Sequence, residues 1–267
     1  MKNLWNKFPA WLKAILQGVV LLLPIILFNQ ILVFNNLTSG HSIPWALPVV
    51  IVALFIYWKI VNRFDANKQE NDIKIDLKLE LNQSRSWYHM LGLIFLTYSA
   101  IALVYMFFPI EGTPQQQMLL MFREAEPLIA ISLLLALALH AGVVEEIAYR
   151  GFMQNTLQRR YSKVVSYLII GILFTMSHFL PLELLVPYLL VSMANSYVAD
   201  IRKSVGVNIL SHFLVDFIIF IGAYFGIINL GSFNWTDFSI NIILLALGVV
   251  FIFGKRKITK TSSSLVA

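Results

Sequence analysis

The sequence contains no cysteine among its 267 residues, and only 13% of the residues are Asp, Glu, Lys or Arg. The absence of cysteine excludes a disulfide framework, a thiolate zinc site and a cysteine nucleophile. The scarcity of charge, together with a hydrophobic content of 58%, excludes an ordinary soluble domain. Internal repeats and low-complexity linkers are also absent from the sequence. These features predict one integral membrane domain that covers residues 1–267.

Apolar runs near the ~20 residues needed to cross ~30 Å of hydrocarbon recur along the chain. Eight such runs are found: 14–34, 44–61, 88–109, 127–158, 164–180, 183–199, 205–228 and 238–254. The pattern predicts an all-α fold with eight transmembrane helices. Only the fourth run is too long for one upright span at about 1.5 Å per residue, so a kink is expected near Gly142.

The basic residues indicate how these helices are oriented. Of the 20 Lys and Arg residues, all except Arg123 fall in the two termini and in alternate connections between the predicted spans. Cytoplasmic loops hold an excess of Lys and Arg, so both termini are predicted to be cytoplasmic. The net charge of +6 therefore indicates topology and attraction to anionic lipid, and no nucleic-acid partner is expected.

One cytoplasmic loop, 62–86, contains a strict alternation of apolar and charged residues at 73–81. Such alternation predicts a β-strand. The favoured interpretation is half of a small ribbon that lies on the membrane surface, because a single strand is unstable. The alternative is a strand edge that pairs with an extended peptide substrate.

Ionisable residues inside the apolar runs are the candidates for function. Ionised side chains in hydrocarbon cost free energy and usually serve a function. Here three predicted helices carry six of them: Glu145, Glu146, Arg150, His178, His212 and Asp216. Acids, imidazoles and a guanidinium are the groups used for general acid–base catalysis and for stabilising charge. The alternative is a set of polar contacts that only join helices.

Counting along the helices predicts that these residues meet. Glu145 lies 14 residues before Arg159, and His178 lies 15 residues after Lys163. Each is therefore roughly 21 Å from the turn that joins the two helices. The same rise places His212 and Asp216 roughly 13 and 20 Å along the seventh span. The polar groups of three helices are expected in one layer.

The spacing within each helix suggests separate roles. Glu146 and Arg150 are four residues apart with the acid first, which favours an ion pair on one helix face. Glu145 points about 100° away from Glu146 and is free to face His178. A buried Glu–His pair can take a proton from water. His212 and Asp216, again four apart, could orient each other and stabilise an oxyanion.

These residues form three motifs, Glu-Glu-x-x-x-Arg, Phe-x-x-x-His from Phe174 to His178, and His-x-x-x-Asp. In this respect the chain resembles the CAAX prenyl protease II and bacteriocin-processing (Abi, CPBP) intramembrane endopeptidases over about 127–225. The resemblance implies an eight-helix fold with a conical cavity open to the cytoplasm. It also implies that Glu145 and His178 activate water while His212 and residue 216 stabilise the oxyanion. The family motif allows Asn or Asp at 216, and Asp216 must be protonated or act through His212.

No cofactor is predicted, although the family is often labelled metalloprotease and zinc is the alternative. Two histidines and two carboxylates could form a tetrahedral zinc site. Against this, Glu146 is expected to pair with Arg150, and the sequence has no H-E-x-x-H helix.

The predicted function is an intramembrane endopeptidase in a bacterial plasma membrane that cleaves a peptide or membrane-anchored protein without a prenyl group. Family members of this type are linked to peptide processing and bacteriocin self-immunity. A non-catalytic immunity or peptide-binding protein that uses the same polar cavity is the main alternative. A small-solute transporter is a second alternative, but the inverted repeats typical of that class are not seen.

Overall fold

The structure is a computed structural model that describes residues 5, 7–27, 33–38, 43–66, 84–108, 114–178, 180–228 and 233–254. The regular elements in these ranges are helical, which confirms the all-α prediction. The strand predicted at 73–81 lies outside the described residues. The helices are α1 (Ala10–Leu27), α2 (Phe34–Thr38), α3 (Ala46–Ala66), α4 (Ser84–Phe107), α5 (Pro114–Glu124), α6 (Pro127–Glu146), a π-helix (Ile147–Met153), α7 (Gln154–Gln158), α8 (Lys163–Ser177), α9 (Leu182–Arg202), α10 (Gly206–Tyr224) and α11 (Trp235–Phe253).

Six helices of the described ranges are long and apolar enough to cross a bilayer. They are α3, α4, the continuous run from α6 to α7, α9, α10 and α11. At the predicted first and fifth spans the apolar helices are shorter, Ala10–Ile25 and Lys163–Ser177. Helix α8 ends before the predicted boundary at 180 because His178 occupies its C-cap and Pro181 follows closely. The count of eight spans and the cytoplasmic termini stay predictions.

The fourth predicted span is a continuous helical run of 32 residues, Pro127–Gln158. The helix geometry does not change near Gly142, where a kink was expected. Helix α6 stays regular through Gly142, and the departure is the π-helix that follows Glu146. Gly142 serves close packing instead, because a Cβ atom there would lie 2.9 Å from the backbone nitrogen of Phe213 on α10.

Helix α6 forms the centre of the fold. Its buried residues lie on all sides of the helix, as expected for a helix surrounded by protein. It packs against α3 on one side and α10 on another, while α1 packs against the π-helix. By contrast, α3 and α11 expose apolar side chains such as Phe55 and Val250. Because these faces are large and apolar, we assign them to the lipid.

Candidate active site

Four helical segments bring the six predicted side chains together as one polar cluster. The cluster comprises Glu145, Glu146, Arg150, His178, His212 and Asp216. The acids Glu145 and Glu146 end α6, and Arg150 lies in the π-helix. His178 caps α8, and the remaining pair lies on α10. A π-helical turn is often found at a functional site.

Glu145 faces both histidines of the polar cluster. Its Oε2 atom lies 3.7 Å from Nε2 of His178 and 4.0 Å from Nε2 of His212. Both distances exceed the usual hydrogen-bond range. The same oxygen is buried and has no hydrogen-bond partner among the described residues. The geometry leaves a polar position beside three groups that can bind or deprotonate a water molecule.

The end of helix α8 orients His178. The last carbonyls of a helix lack backbone donors, and here Nδ1 of His178 lies 2.7 Å from the carbonyl oxygen of Phe174. A carbonyl only accepts, so Nδ1 carries a proton and donates it. In the neutral imidazole, Nε2 then has a free lone pair that faces Glu145. The Phe-x-x-x-His spacing thus sets the tautomer through the backbone.

Glu146 occupies the structural position in the cluster. Its Oε1 atom accepts from Nη1 of Arg150 at 2.9 Å and lies 2.8 Å from Nδ1 of His212. The other guanidinium nitrogen, Nη2, donates to Oγ of Ser192 at 2.8 Å. The pair is therefore not bidentate, because Arg150 divides its donors between two helices. The arrangement joins the π-helix, α9 and α10 at one point.

Aromatic rings enclose the Arg150 guanidinium. Its central carbon lies 4.9 Å from the ring centroid of Phe174 and 5.7 Å from that of Tyr149. Such cation–π contacts stabilise a guanidinium removed from water. The hydroxyl of Tyr149 donates to Ser177, next to His178. The same two rings therefore support both the arginine and the end of α8.

His212 and Asp216 lie on one face of α10. Nε2 of His212 is 3.4 Å from Oδ2 of Asp216, while Nδ1 is directed to Glu146. His212 is thus surrounded by three carboxylates, with Glu145 the third. When both ring nitrogens are protonated, Nδ1 donates to Glu146 and Nε2 presents a proton to the cavity.

A cavity of about 310 Å³ opens beside the polar cluster. Its polar lining includes Glu145, His178, His212 and Asp216. Apolar lining comes from residues of α5, α6 and α10: Met118, Leu119, Phe122, Leu134, Ile219 and Phe220. A site with an apolar wall and a few convergent polar groups is typical of a substrate pocket.

Several contacts of the site were not predictable from sequence motifs. Ser192 holds Arg150 from another helix, 42 residues further along the chain, and no spacing within one helix points to this contact. Asn195 lines the cavity and its Oδ1 atom accepts from Asn208, one turn before His212. Tyr188 also lines the cavity. A signal could have come from the small and aromatic polar residues that recur every four positions on α9.

The zinc alternative can be tested against the side chains present. A catalytic zinc site needs three protein ligands that converge on one ion. In the part of the chain that the structure describes, no three His, Asp or Glu side chains are grouped to hold a metal ion. Glu146 Oε1 is already engaged by Arg150 and His212. In this arrangement Oε1 of Glu146 is not available to an ion, and zinc stays an alternative that experiment must test.

Comparison with known families locates the site within a recognised segment. Residues 127–218 match the family described as type II CAAX prenyl endopeptidase Rce1-like. The matched range includes all six residues of the polar cluster and lies within the segment 127–225 expected from the motifs. No curated protein and no solved structure has significant similarity to the chain.

Proposed function

We propose that the protein is an intramembrane endopeptidase that hydrolyses a peptide bond with activated water. The match of residues 127–218 to the type II CAAX prenyl endopeptidase Rce1-like family supports this proposal. The observation that carries the proposal is the position of Glu145. Its buried Oε2 atom has no hydrogen-bond partner among the described residues and lies 3.7 Å from Nε2 of His178 and 4.0 Å from Nε2 of His212, beside the cavity. A buried carboxylate beside two imidazoles is suited to proton transfer.

In the proposed reaction, one water molecule lies between Glu145 and His178. Glu145 takes one proton as the water oxygen attacks the peptide carbonyl carbon, and the lone pair on Nε2 of His178 accepts a hydrogen bond from the same water. The separation of 3.7 Å between their atoms suits two groups that share a water better than a direct bond. Catalytic contacts often tighten only when substrate binds.

The attack converts the carbonyl oxygen to an oxyanion, which needs hydrogen-bond donors. His212 in its doubly protonated form donates from Nε2 toward the cavity while Nδ1 remains bound to Glu146. Asp216 orients this ring and offers no donor of its own when ionised. When the tetrahedral intermediate collapses, the carbon–nitrogen bond breaks and Glu145 returns its proton to the amine. The products are a carboxylic acid and an amine, which become a carboxylate and an ammonium group when the acid transfers its proton to the amine.

Glu146 and Arg150 act as positioning residues in this scheme. Together they fix the Nδ1 side of His212 and leave the opposite ring edge toward the substrate. Removing water and mobile counterions from such a cluster strengthens each charge interaction. The Ser192 contact then prevents the guanidinium from moving away from Glu146.

We propose a peptide or a membrane-anchored protein without a prenyl group as the substrate, in a bacterial plasma membrane. The apolar residues of the cavity lining suit apolar side chains next to the scissile bond. The cavity is proposed to open to the cytoplasm, since the basic residues follow the alternation expected of cytoplasmic loops.

Peptide release from membranes tests the proposed activity. Membranes that carry wild type are compared by mass spectrometry with Glu145→Ala, His178→Ala and Glu183→Ala variants. Glu183, an exposed acid at the start of α9, provides the matched control. We expect both site variants to lose the peptides that wild type releases, with unchanged membrane insertion. Glu183→Ala should release the wild-type set. Equal release by all four proteins would contradict the endopeptidase and favour a non-catalytic immunity or peptide-binding protein.

Elemental analysis tests the metal-free scheme separately. We expect purified, active protein to contain no stoichiometric zinc, and a chelator to leave peptide release unchanged. One zinc ion per chain that a chelator removes together with activity would contradict this scheme, while Glu145 would still be required.

A further inference from the structure

The proposed chemistry leaves one requirement that the polar cluster does not meet. Oxyanion sites in acyl transfer use preorganised donors, and loss of one donor costs about 10² to 10³ in kcat. Within the α10 pair His212 can donate from Nε2, whereas a carboxylate donates nothing unless it carries a proton. A second donor that does not depend on the protonation of Asp216 would come from another side chain that lines the cavity.

We propose that Tyr188 is a further catalytic residue, whose phenolic O–H donates a hydrogen bond to the carbonyl oxygen of the scissile peptide as negative charge develops. This inference rests on the proposed endopeptidase function. Tyr188 lies on α9, outside the three sequence motifs, and contributes to the cavity wall together with Glu145 and Asp216.

The packing of α9 against the π-helix and α7 places Tyr188 at the level of the cluster. Two hydrogen-bonded pairs fix the relative position of these segments, and both join residues 42 apart: Arg150 with Ser192, and Gln154 with Ser196. Tyr188 lies four residues, about one helical turn, before Ser192 on α9. It is therefore on the same face of α9 as the residue that binds Arg150.

Ring contacts hold Tyr188 beside the water-activating histidine. Its ring centroid lies 5.5 Å from that of His178 and 6.4 Å from that of Phe174. Tyr188 lines the same cavity as His178 and His212. It forms no hydrogen bond with another residue of the described ranges and borders the cavity. The donor is therefore available to a substrate that enters there.

A phenol fits this role chemically. With an ordinary pKa of about 10, a tyrosine keeps its proton at neutral pH and can donate without carrying charge into an apolar site. The hydrogen bond becomes stronger as the carbonyl oxygen gains negative charge, and only such differential binding accelerates the reaction. The flanking rings of His178 and Phe174 restrict the phenol before substrate arrives, which limits the reorganisation needed.

Tyr188→Phe tests the inference, since it removes one oxygen and retains the ring. The probes are quenched fluorescent apolar peptides in proteoliposomes, each prepared with and without an S-farnesyl cysteine, and activity is the cleavage that Glu145→Gln abolishes. We expect kcat to fall by about 10² to 10³, with little change in KM. The control is Tyr197→Phe on the same helix, where the ring contacts Phe253 outside the cavity lining. It should keep wild-type kcat.

A double-mutant cycle with Asp216→Asn sharpens the test. The substituted amide offers a donor that the native carboxylate lacks, so Tyr188→Phe should cost at least tenfold less kcat when combined with Asp216→Asn, a coupling of about 1.4 kcal/mol. A residue that merely packs against His178 would lower kcat equally in both backgrounds. Unfolding midpoints in detergent report whether each variant is folded.

The outcomes separate the two proposals. Wild-type kcat in folded Tyr188→Phe, or equal losses in both backgrounds, would overturn the role of Tyr188 while leaving the endopeptidase intact. If no probe is cleaved in a Glu145-dependent manner, the endopeptidase itself fails, and the role of Tyr188 fails with it. A large loss confined to kcat, together with the coupling to Asp216→Asn, would support the donor.

Discussion

Two buried carboxylates in this protein have the same exposure and opposite surroundings. The side chains of Glu146 and Asp200 are each 1% exposed, and each is paired with cations. The partner of Glu146 is Arg150, which is itself 1% exposed. The partners of Asp200 are Lys163 and Lys203, which are 61% and 44% exposed. The ion pair of Glu146 is buried on both sides, whereas the ion pairs of Asp200 are exposed to solvent at their lysines.

Hydrogen bonding distinguishes the two centres further. Both oxygens of Asp200 are bonded: Oδ1 accepts from Lys203, and Oδ2 accepts from Lys163 and Tyr167. In the polar cluster, one oxygen of Glu145 and one of Glu146 are buried without a partner among the described residues. A carboxylate whose oxygens are already hydrogen-bonded connects helices but has no acceptor left for water or substrate. A buried acid with bonding capacity left over, next to a cavity, can bind water or substrate.

The largest effect that distinguishes the centres is expected for Arg150→Met. Removal of the guanidinium leaves Glu146 buried without its cation, and breaking a buried pair costs about 3–5 kcal/mol. Peptide release should be lost as well, because His212 loses its fixed partner. Denaturant unfolding in mixed micelles and peptide release measure the two effects. Arg159→Met, at the exposed turn after α7, provides the control. If Arg150→Met retained activity, Arg150 would not be required by the site.

A smaller effect, on stability alone, is expected for Asp200→Asn. The amide keeps the shape of the side chain but weakens its bonds to both lysines and to Tyr167. The free energy of unfolding should fall by about 1–3 kcal/mol, the range for bonds to charged groups. Peptide release by the folded protein should equal that of wild type. A loss of kcat without a loss of stability would show that the two centres are coupled.

The smallest effect is expected for Lys163→Met. Lys163 is mostly exposed, and an exposed ion pair contributes about 0.2–1 kcal/mol. Asp200 would retain Lys203 and Tyr167 as partners. The difference in unfolding free energy between wild type and variant should shrink further as salt is added. A loss above about 2 kcal/mol, well beyond the range for exposed pairs, would mean that the lysine is more enclosed than its exposure indicates.

The number of residues between each side chain and the connecting turn was enough to predict that Glu145 and His178 lie at the same depth along their helices. The helical rise is constant and the connection is short, so two distances from one turn determine relative depth. The same reasoning predicted the i,i+4 contact between Glu146 and Arg150, which the structure contains. Such predictions succeed where partners lie on one helix or on two helices joined by a short turn.

Contacts between helices separated by longer connections could not be predicted in this way. The contact of Arg150 with Ser192 depends on the relative position of two helices 42 residues apart, which no local pattern determines. The length of the fourth run predicts a kink near Gly142, whereas the structure uses this glycine for the close approach of the α10 backbone. The π-helix after Glu146 has no recognisable composition signal.

A first-turnover isotope experiment tests most directly whether Glu145 activates water. Proteoliposomes transferred into water enriched in ¹⁸O are given less peptide than enzyme, and the new carboxyl group is analysed by mass spectrometry. Our account predicts one ¹⁸O atom in the product of the first turnover and no product from Glu145→Gln. A first product that contains only ¹⁶O, with ¹⁸O later found in Glu145, would mean that the carboxylate attacks the peptide itself. That result would contradict water activation by this residue.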